Sequence, residues 1–497
     1  MLARFFSSDV SLVLTSHFSG IGTAEMALAV VSASMTERAA VEVEVPWTSW
    51  SATDLDDTCV NILCNHTGAH KPMHVFRDIL DRIPIVKLRH LQHLQLHWCT
   101  FYNQQIKTCK GARRAATLRE YCHRFLHEAL EVLQDVTFPR QSLAFCEVHK
   151  CGCVVAPPKF LDGKPVLWLD VFGLICTPWT TQGKQMSWLD PNAIPTFIQL
   201  LQFDRGEAQI GIAECTPFLD MVGVRTLMPN TQIFDVTFCP SDLGLPTVRR
   251  RLYAILIKTG AGAQPRFKLS GLHGLLEKYS FKKVIAHPSI YFRANSADIR
   301  DMTYEFARRR GVVPHPSGRR YDYLDVLPSA MKKCLETHMA RWEAHREERA
   351  ANDHAVDDSE SWYADISQSP LWGGQFVARI PTLIRNSVIW GEREKRMLCP
   401  REHFGVQGLP TYEPSSMAFK VSPIQQLLLA PVSAQRSAVH HDPAPDTTAE
   451  QVMKSQNFVR LAGNGMHLPT VGLIMCYTLS SIKFADVQHD RQTRQTE

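Results

Sequence analysis

Short apolar runs alternate with helix-like segments along the first half of the chain. The stretch SLVLTSHFSGIGTAEMALAVV, residues 11–31, predicts a strand, a glycine turn and an apolar-faced helix. Residues 47–66 repeat this form, and residues 74–81 predict a third short strand or turn. Further strands are predicted by the later runs PVLWLDVF, QIGIAECTPFLD, IFDVTFC and LYAILIK. The alternation predicts an α/β fold with a mostly parallel sheet and helices on both faces.

Two regions interrupt this alternation. Residues 82–163 form an insertion whose leucine spacing predicts helices, which we expect to form a surface subdomain. From about residue 260 the pattern becomes irregular, with a basic and aromatic stretch followed by a charged helix or linker. We therefore predict a first domain over 9–260 and a second lobe over 261–390, with residues 391–485 returning to the first domain. Within that last part, residues 429–451 predict a flexible loop.

Composition narrows the class of protein without naming a function. A chain of 497 residues exceeds one ordinary domain, and 45% hydrophobic with 21% charged residues is typical of a soluble globular protein. The net charge of +5 permits a nucleic-acid partner but does not require one. Fourteen cysteines without a secretory segment indicate reduced thiols in an intracellular protein. Since no apolar stretch is long enough to span a bilayer, a membrane-spanning protein is not expected.

One cysteine lies where open α/β sheets place their chemistry. Cys176 follows the apolar run PVLWLDVF in the segment GLICTPWTTQGKQ, so it should lie in the loop that leaves the C-terminal end of a strand. A helix beginning just after it would favour the thiolate, which is the nucleophilic form. On this evidence alone an inert thiol is the better interpretation, because most of the fourteen cysteines must be inert.

Glycines and carboxylates stand at the ends of the first three predicted strands. Gly20 and Gly22 in FSGIG would let the backbone pass close to a ligand, or would serve tight packing. Asp54 could bind ribose hydroxyls or cap a helix, and Asp78 is placed in a similar way. These signals are compatible with a nucleotide-like ligand but do not require one.

Charged residues also mark the later strands. Glu214 ends the strand IGIAE, where it could act as an acid with a pKa raised by desolvation, or as a capping residue. Arg249 and Arg251 in VRRR precede a strand and should point to the same side. They could hold a phosphate or a carbonyl oxygen, or form a solvated basic turn.

The order of these signals resembles that of the cytosine-C5 methyltransferases, which methylate carbon 5 of cytosine with S-adenosylmethionine. Eight segments between residues 18 and 472 stand in family order: FSGIGTAEMAL, DLDDTCVNILCNH, RDI, CTPWTTQGK, AECT, LPTVRRRLYAI, RMLCPREHFGVQGLP and GNGMHLPTVG. The resemblance implies a Rossmann-like class I methyltransferase domain, with an antiparallel hairpin in its sheet and a smaller irregular target-recognition lobe over 261–390. CTPWTTQGK is similar to the family's Pro-Cys-Gln-x-Phe-Ser-x-x-Gly loop, which would make Cys176 the nucleophile.

The resemblance also implies roles for the other residues. Cys176 would add to C6 of a cytosine swung out of the stack, and Glu214 would bind the edge of the base. Arg251 would contact the O2 carbonyl, while Arg249 would brace the thiol loop. The set expected to bind S-adenosyl-L-methionine comprises Phe18, Ser19, Gly20, Gly22, Asp54, Asp78 and Asn464.

Three hypotheses about function follow from these motifs. The first is a DNA cytosine-C5 methyltransferase, nuclear if the protein is eukaryotic. The second is an RNA methyltransferase of the same architecture. A recognition lobe of about 130 residues, 261–390, favours DNA over RNA. The third is a non-catalytic module that binds nucleic acid or a partner.

Four positions depart from the family pattern. Ile175 replaces a proline, Thr177 a glutamine, Cys215 an asparagine and Thr247 a glutamine. Loss of the proline could loosen the thiol loop, and misplacement of supporting groups can cost about 100-fold in rate. Because the catalytic residue types remain, we predict an active enzyme, weak or otherwise, rather than an inactive one.

The end of the insertion, FCEVHKCGCVV, is rich in cysteine and histidine. Cys146, His149, Cys151 and Cys153 could supply a zinc site. However, Cys-x-Cys with one nearby histidine lacks a convincing paired-ligand pattern. We therefore expect a turn with incidental thiols and no metal.

Overall fold

Eight of the described strands form one sheet with the order β3-β2-β1-β7-β8-β10-β9, in which β6 pairs with β7. The β1–β2, β2–β3, β1–β7 and β7–β8 pairs are parallel, whereas β10 runs antiparallel to both β8 and β9. This confirms the predicted α/β fold class. The strands are β1 Ser11–His17, β2 Trp47–Thr53, β3 His74–Phe76, β6 Phe160–Leu161, β7 Lys164–Gly173, β8 Ile210–Cys215, β9 Thr231–Phe238 and β10 Arg251–Lys258.

The computed structural model divides the chain into two compact units. The first comprises Met1–Phe238, Arg251–Leu275 and Val471–Glu497, and the second comprises Cys239–Arg250 and Leu276–Thr470. The structure describes residues 10–39, 47–108, 111–181, 183–260, 263–265, 271, 274, 286–308, 323–352, 361–371, 378–411 and 456–484.

The strand order reverses direction between β1 and β7. From β1 the chain builds outward to β2 and β3, and it then returns to place β7 on the other side of β1. Such a topological switch point leaves a crevice outside the carboxyl ends of the two strands, where open α/β sheets bind their ligands. The glycine turn follows β1 and the loop of Cys176 follows β7, so both sequence signals stand at this point of the sheet.

A group of buried polar side chains on β1 and β7 is paired around one carboxylate. The carboxylate of Asp170 on β7 accepts hydrogen bonds from Thr15 Oγ1 at 2.7 Å and from Gln199 Nε2 at 3.0 Å, and it lies 3.3 Å from His17 Nε2. Because an unpaired buried carboxylate is costly, these partners allow polar residues to remain inside an otherwise apolar core.

Helices connect the parallel strands as the alternation predicts. Ten of the twelve residues of the helix that links β7 to β8 are buried, which explains its apolar sequence. The α-helices described for the first unit outside the insertion are α1 Thr23–Ala39, α2 Asp57–Cys64, α5 Ile194–Arg205, α6 Met221–Leu227 and, from Val471 onward, α12 Leu468–Ser480. A short strand after α12, β15 Ile482–Phe484, pairs with β11 Ala263–Pro265.

The insertion is part of the main core, so the expectation of a separate surface subdomain is wrong. Its helices, α3 Ile85–Gln105 and α4 Gly111–Val132, share one hydrophobic cluster with side chains of β1 and β7. The buried Gln95 on α3 donates hydrogen bonds of 2.8 Å to the carbonyls of Trp188 and Asp190. The apolar stripes predicted for these helices therefore cover the sheet rather than one another alone.

A two-stranded hairpin closes the insertion. Strands β4 Leu143–Cys146 and β5 Cys151–Val154 are antiparallel, and Lys150 in their turn has a left-handed φ of 55°. The backbone N–H of Glu147 donates to the carbonyl of Val75 on β3 at 2.7 Å, which anchors the hairpin to the edge of the main sheet.

The second unit has its own apolar core around Leu335, Trp362 and Trp390. Its predicted charged helix is present, whereas the loop predicted at 429–451 and most of the basic, aromatic stretch lie outside the described residues. The unit extends to Thr470, so the predicted return to the first domain begins at Val471 rather than at residue 391. Its described elements are α7 Ser296–Arg308, α8 Tyr323–Val326, α9 Ser329–Ala351, β12 Tyr363–Asp365, β13 Ile389–Gly391, β14 Arg396–Met397, α10 Pro400–Val406 and α11 Gln456–Asn464.

None of the helices within these ranges is both long and apolar enough to cross a bilayer.

One buried carboxyl makes the first unit sensitive to pH. Glu25 in the first turn of α1 is fully buried and accepts a hydrogen bond from Ser16 Oγ. Desolvation raises its pKa from 4.5 to about 7, despite the opposing effect of that hydrogen bond. A raised pKa means that the folded state favours the protonated form of Glu25. The contribution of this group to the free energy of unfolding is therefore complete below pH 4.5 and is lost as the pH rises through 7.

We expect Glu25→Gln to stabilise the protein at pH 8 by about 3 kcal/mol, because the amide keeps the acceptor and cannot ionise. The difference in melting temperature between variant and wild type should grow from pH 5 to pH 8. Glu131→Gln, on the exposed face of α4, serves as the control and should show no such growth. Parallel pH profiles for wild type and Glu25→Gln would contradict the prediction.

Candidate active site

The glycine turn after β1 adopts backbone conformations that suit glycine. Gly20 and Gly22 have φ values of 57° and 81°, and Phe18 between them and the strand has 52°. A Cβ on Gly22 would lie 2.7 Å from His66 Cε1, whereas a Cβ on Gly20 would meet nothing within 4 Å. Gly22 is thus required by packing, and Gly20 faces open space at the carboxyl end of β1.

His66 supports this turn and was missed by the sequence analysis. Its Nε2 donates to the carbonyl of Ile21 at 3.1 Å. Burial, followed by the neighbouring His70, lowers the pKa of His66 to about 3, so the ring is a neutral donor at physiological pH. No pattern in the sequence distinguished it from the other histidines.

Asp54 connects the end of β2 to the glycine turn. Its Oδ2 accepts the backbone N–H of Gly20 at 2.7 Å, and its Oδ1 accepts that of Asp56 at 2.9 Å. Asp56 caps α2 by accepting from the N–H groups of Thr58 and Cys59, so helix capping is not the task of Asp54. A carboxylate oxygen has more than one acceptor site, so Asp54 can still accept hydroxyl donors of a ligand.

Two more residues of the predicted cofactor set lie at the same edge of the sheet. Asp78 follows β3 and caps a short turn by accepting the N–H of Leu80 at 2.9 Å. Ser19 has a structural role, since its hydroxyl donates to the carbonyl of Thr53 at 3.1 Å and accepts from the N–H of Thr53 at 3.0 Å. The ends of β1, β2 and β3 therefore bring Gly20, Asp54 and Asp78 to one edge.

The loop that carries Cys176 is a tight turn. The half-buried Cys176 follows the end of β7, as predicted, and its carbonyl accepts from the N–H groups of Trp179 and Thr180 at 3.0 and 3.1 Å. A Cβ on Gly183 would lie 2.2 Å from the carbonyl oxygen of Thr177. These hydrogen bonds and this close approach thus define the turn. Ile175, which stands where the family pattern has proline, comes just before it.

Glu214 and Arg251 meet beside the start of this loop. The N–H of Leu174 donates to the backbone carbonyl of Glu214 at 2.8 Å, which ties the start of the loop to β8. The Glu214 side chain is buried, and its Oε1 lies 3.1 Å from Nε of Arg251 at the start of antiparallel β10. The carboxyl ends of β7 and β8 and the beginning of β10 therefore bring a thiol, a carboxylate and a guanidinium to one region.

Cys215 lies among these groups. Burial raises the pKa of its thiol well above the usual 9.0, and the nearby Glu214 and Cys176 raise it further. Cys215, which stands where the family pattern has asparagine, thus remains a neutral thiol. The half-buried Cys176 and not the fully buried Cys215 has the exposure that a nucleophile needs.

Arg249 and Asn464 belong to the second unit. The buried guanidinium of Arg249 donates to the carbonyls of Leu383, Gly463 and Gly465 at 3.4, 3.3 and 2.6 Å. These bonds hold the turn that carries the exposed Asn464. Arg249 therefore has a structural role in its own unit, and its expected action on the thiol loop stays a prediction, as does that of Asn464 on the cofactor.

No protein-family model matches the chain, and no curated protein matches it. Solved structures similar to the chain include the Dnmt2 methyltransferase of S. pombe, with 11% identity over 95% of this chain and 98% of that one, at a TM-score of 0.39. The Entamoeba histolytica methyltransferase EhMeth follows with 10% identity over 95% and 98%, at a TM-score of 0.38. A putative DNA modification methyltransferase encoded within an E. coli prophage has 12% identity over 94% and 98%, at 0.37.

Proposed function

We propose that this protein transfers a methyl group from S-adenosylmethionine to carbon 5 of cytosine in DNA, through a covalent bond between Cys176 and carbon 6. The observation that carries the proposal is the meeting of the thiol loop, Glu214 and Arg251 next to the switch point between β1 and β7. These are the residue types that the chemistry requires, at the edge of the sheet where ligands bind.

The residues at the ends of β1, β2 and β3 suit S-adenosylmethionine. Gly20 leaves open the space that a side chain would fill, and Asp54 and Asp78 offer carboxylates for the ribose hydroxyls and the adenine amino group. Phe18, held at a positive φ beside the turn, offers an apolar surface. When bound, the cofactor supplies an electrophilic methyl group.

The remaining residues would act on the cytosine. Its carbons 5 and 6 cannot be reached from both faces within a duplex, so the base must leave the stack. The Cys176 thiolate then adds to C6, which makes C5 electron-rich. Arg251 donates to O2, while Glu214 accepts from the amino group and supplies a proton to N3, which stabilises the negative charge that develops on the ring. After methylation, a water molecule takes the proton from C5, the C5–C6 double bond re-forms as the thiolate leaves C6, and N3 returns its proton to Glu214.

DNA is the substrate that the chain organisation favours. The second unit spans Cys239–Arg250 and Leu276–Thr470, which is ample for a lobe that contacts phosphates and reads a groove. The nucleophile and cofactor residues suit cytosine in RNA equally well, so RNA that contains 5-fluorocytosine is tested in parallel with the fluorinated DNA. A DNA substrate would place the protein in the nucleus if it is eukaryotic.

We expect a covalent adduct between the protein and DNA that contains 5-fluorocytosine, because fluorine at C5 blocks the proton loss that releases the enzyme. The adduct should survive denaturing electrophoresis, require S-adenosylmethionine, and disappear in Cys176→Ser. Cys99→Ser removes another half-buried thiol and is the matched control.

An adduct that persists in Cys176→Ser would disprove the assigned nucleophile. If neither polymer is trapped, the non-catalytic hypothesis is the better one. Trapping of RNA alone would show that the chemistry is correct and the polymer is wrong.

Glu214→Gln should lower kcat by about 100-fold or more, because the amide cannot supply the proton that N3 takes up in the transition state. The affinity for S-adenosylmethionine, measured by calorimetry, should remain unchanged, since Glu214 is not in the cofactor set. Glu207→Gln changes an exposed carboxylate that pairs with Arg140 and should keep full activity. Equal losses in both variants would contradict the role of Glu214.

Gly183→Ala should reduce activity by about 100-fold, because its Cβ would overlap the Thr177 carbonyl and displace the thiol loop. Gly152→Ala meets no neighbouring atom within 4 Å and is the control. Adduct formation with the fluorinated DNA, measured alongside circular dichroism, separates a displaced loop from an unfolded protein. Wild-type trapping by a folded Gly183→Ala would refute this account of the loop.

A further inference from the structure

Four potential metal ligands meet between the hairpin of the insertion and the edge of the main sheet. They are His74 on β3, Cys146 at the end of β4, His149 in the turn and Cys153 on β5. One ligand atom from each lies within 4.8 Å of those of the other three. Two thiols and two imidazoles are a ligand set that zinc prefers in structural sites.

The spacing of the ligand atoms suits a tetrahedral ion. Cys146 Sγ lies 3.8 Å from His74 Nδ1 and 3.4 Å from His149 Nδ1, and Cys153 Sγ lies 3.5 Å from His149 Nδ1. Bonds of about 2.3 Å to sulfur and about 2.0 Å to nitrogen, at tetrahedral angles, put sulfur and nitrogen about 3.5 Å apart. These three separations agree with that value to within a few tenths of an ångström.

Cys151 is outside this group although the sequence analysis placed it with the others. It is exposed, and its Sγ lies 3.9 Å from that of Cys153. The structure replaces it with His74, which is 72 residues before Cys146 in the sequence. The second histidine that the local sequence of the hairpin lacks is therefore supplied by the main sheet.

Only one face of the hairpin is buried, where Cys146 clusters with Phe76 of β3 and with Val155. Leu143 and Phe145 are 66% and 57% exposed, and an isolated two-stranded hairpin is marginally stable. Its described attachments to the sheet include the hydrogen bond from Glu147 N–H to Val75 and the ion pair between Arg77 and Glu147. An ion held by His74 and by three residues of the hairpin would add a strong link at the same place.

We propose that His74, Cys146, His149 and Cys153 form a structural zinc site that fastens the insertion hairpin to β3. Four protein ligands close the coordination sphere, so the ion has a structural rather than a catalytic role. Because β3 leads directly to Asp78, the site stabilises one end of the predicted cofactor edge.

Metal analysis of the full-length protein, purified under reducing conditions, tests this proposal. We expect about one zinc ion per chain in wild type and in Cys151→Ser, and less than about a tenth of that in His74→Ala and Cys153→Ser. Cys151→Ser is the matched control, because it removes a thiol from the same hairpin and leaves the four ligands intact.

Titration of metal-free wild type with Co²⁺ keeps the test valid if a variant fails to fold. A tetrahedral site with two thiolates should produce intense visible d–d bands and a thiolate-to-cobalt charge-transfer band, and added Zn²⁺ should remove both. Absence of both zinc in the purified protein and this cobalt spectrum would overturn the proposal. Loss of metal in Cys151→Ser with retention in His74→Ala would overturn the ligand assignment.

Discussion

The parallel pairing of β7 with β8 is the constraint on which the candidate site depends. It sets Gly173 opposite Glu214, and the hydrogen bond from Leu174 N–H to the Glu214 carbonyl extends the pairing into the thiol loop. A slip of one residue would turn every side chain of β8 to the other face of the sheet. The carboxylate would then leave the edge at which Cys176 and Arg251 lie, so the register determines whether the three groups of the candidate site come together.

The insertion packs against the segment that follows the thiol loop and so supports the edge of the sheet that carries the candidate site. Gln95 on α3 holds the carbonyls of Trp188 and Asp190, just beyond the thiol loop, and Trp188 packs edge-on against Trp179 within that loop. Rigid surroundings of this kind would hold the proposed nucleophile, Cys176, in position, since small displacements at catalytic sites cost large factors in rate. The hydrogen bonds of the turn restrict the backbone of the thiol loop, which in the family pattern a proline before the cysteine would also do.

Several motif residues make structural hydrogen bonds or ion pairs, whatever part they also take in the predicted chemistry. Ser19 joins the glycine turn to β2, and Arg249 joins backbone turns of the second unit. In the segment RMLCPRE, the buried Arg396 and Glu402 form an ion pair with both N–O distances at 2.7 Å. Removing one partner of such a pair leaves a buried charge and is costly. Residues of the motifs that stand in family order can therefore be required for folding as well as for the predicted chemistry.

Local patterns in the sequence determined the strands, the glycine turn, the position of Cys176 after β7 and the carboxylates at the strand ends. They could do so because periodicity and turn residues act over short distances in the chain. Three features become visible only in the tertiary structure. Glu214 pairs with Arg251, the insertion joins the main core, and His74 lies next to the thiols of the hairpin. Those contacts join residues far apart in sequence, and they depend on the strand order and register that burial of the whole sheet selects.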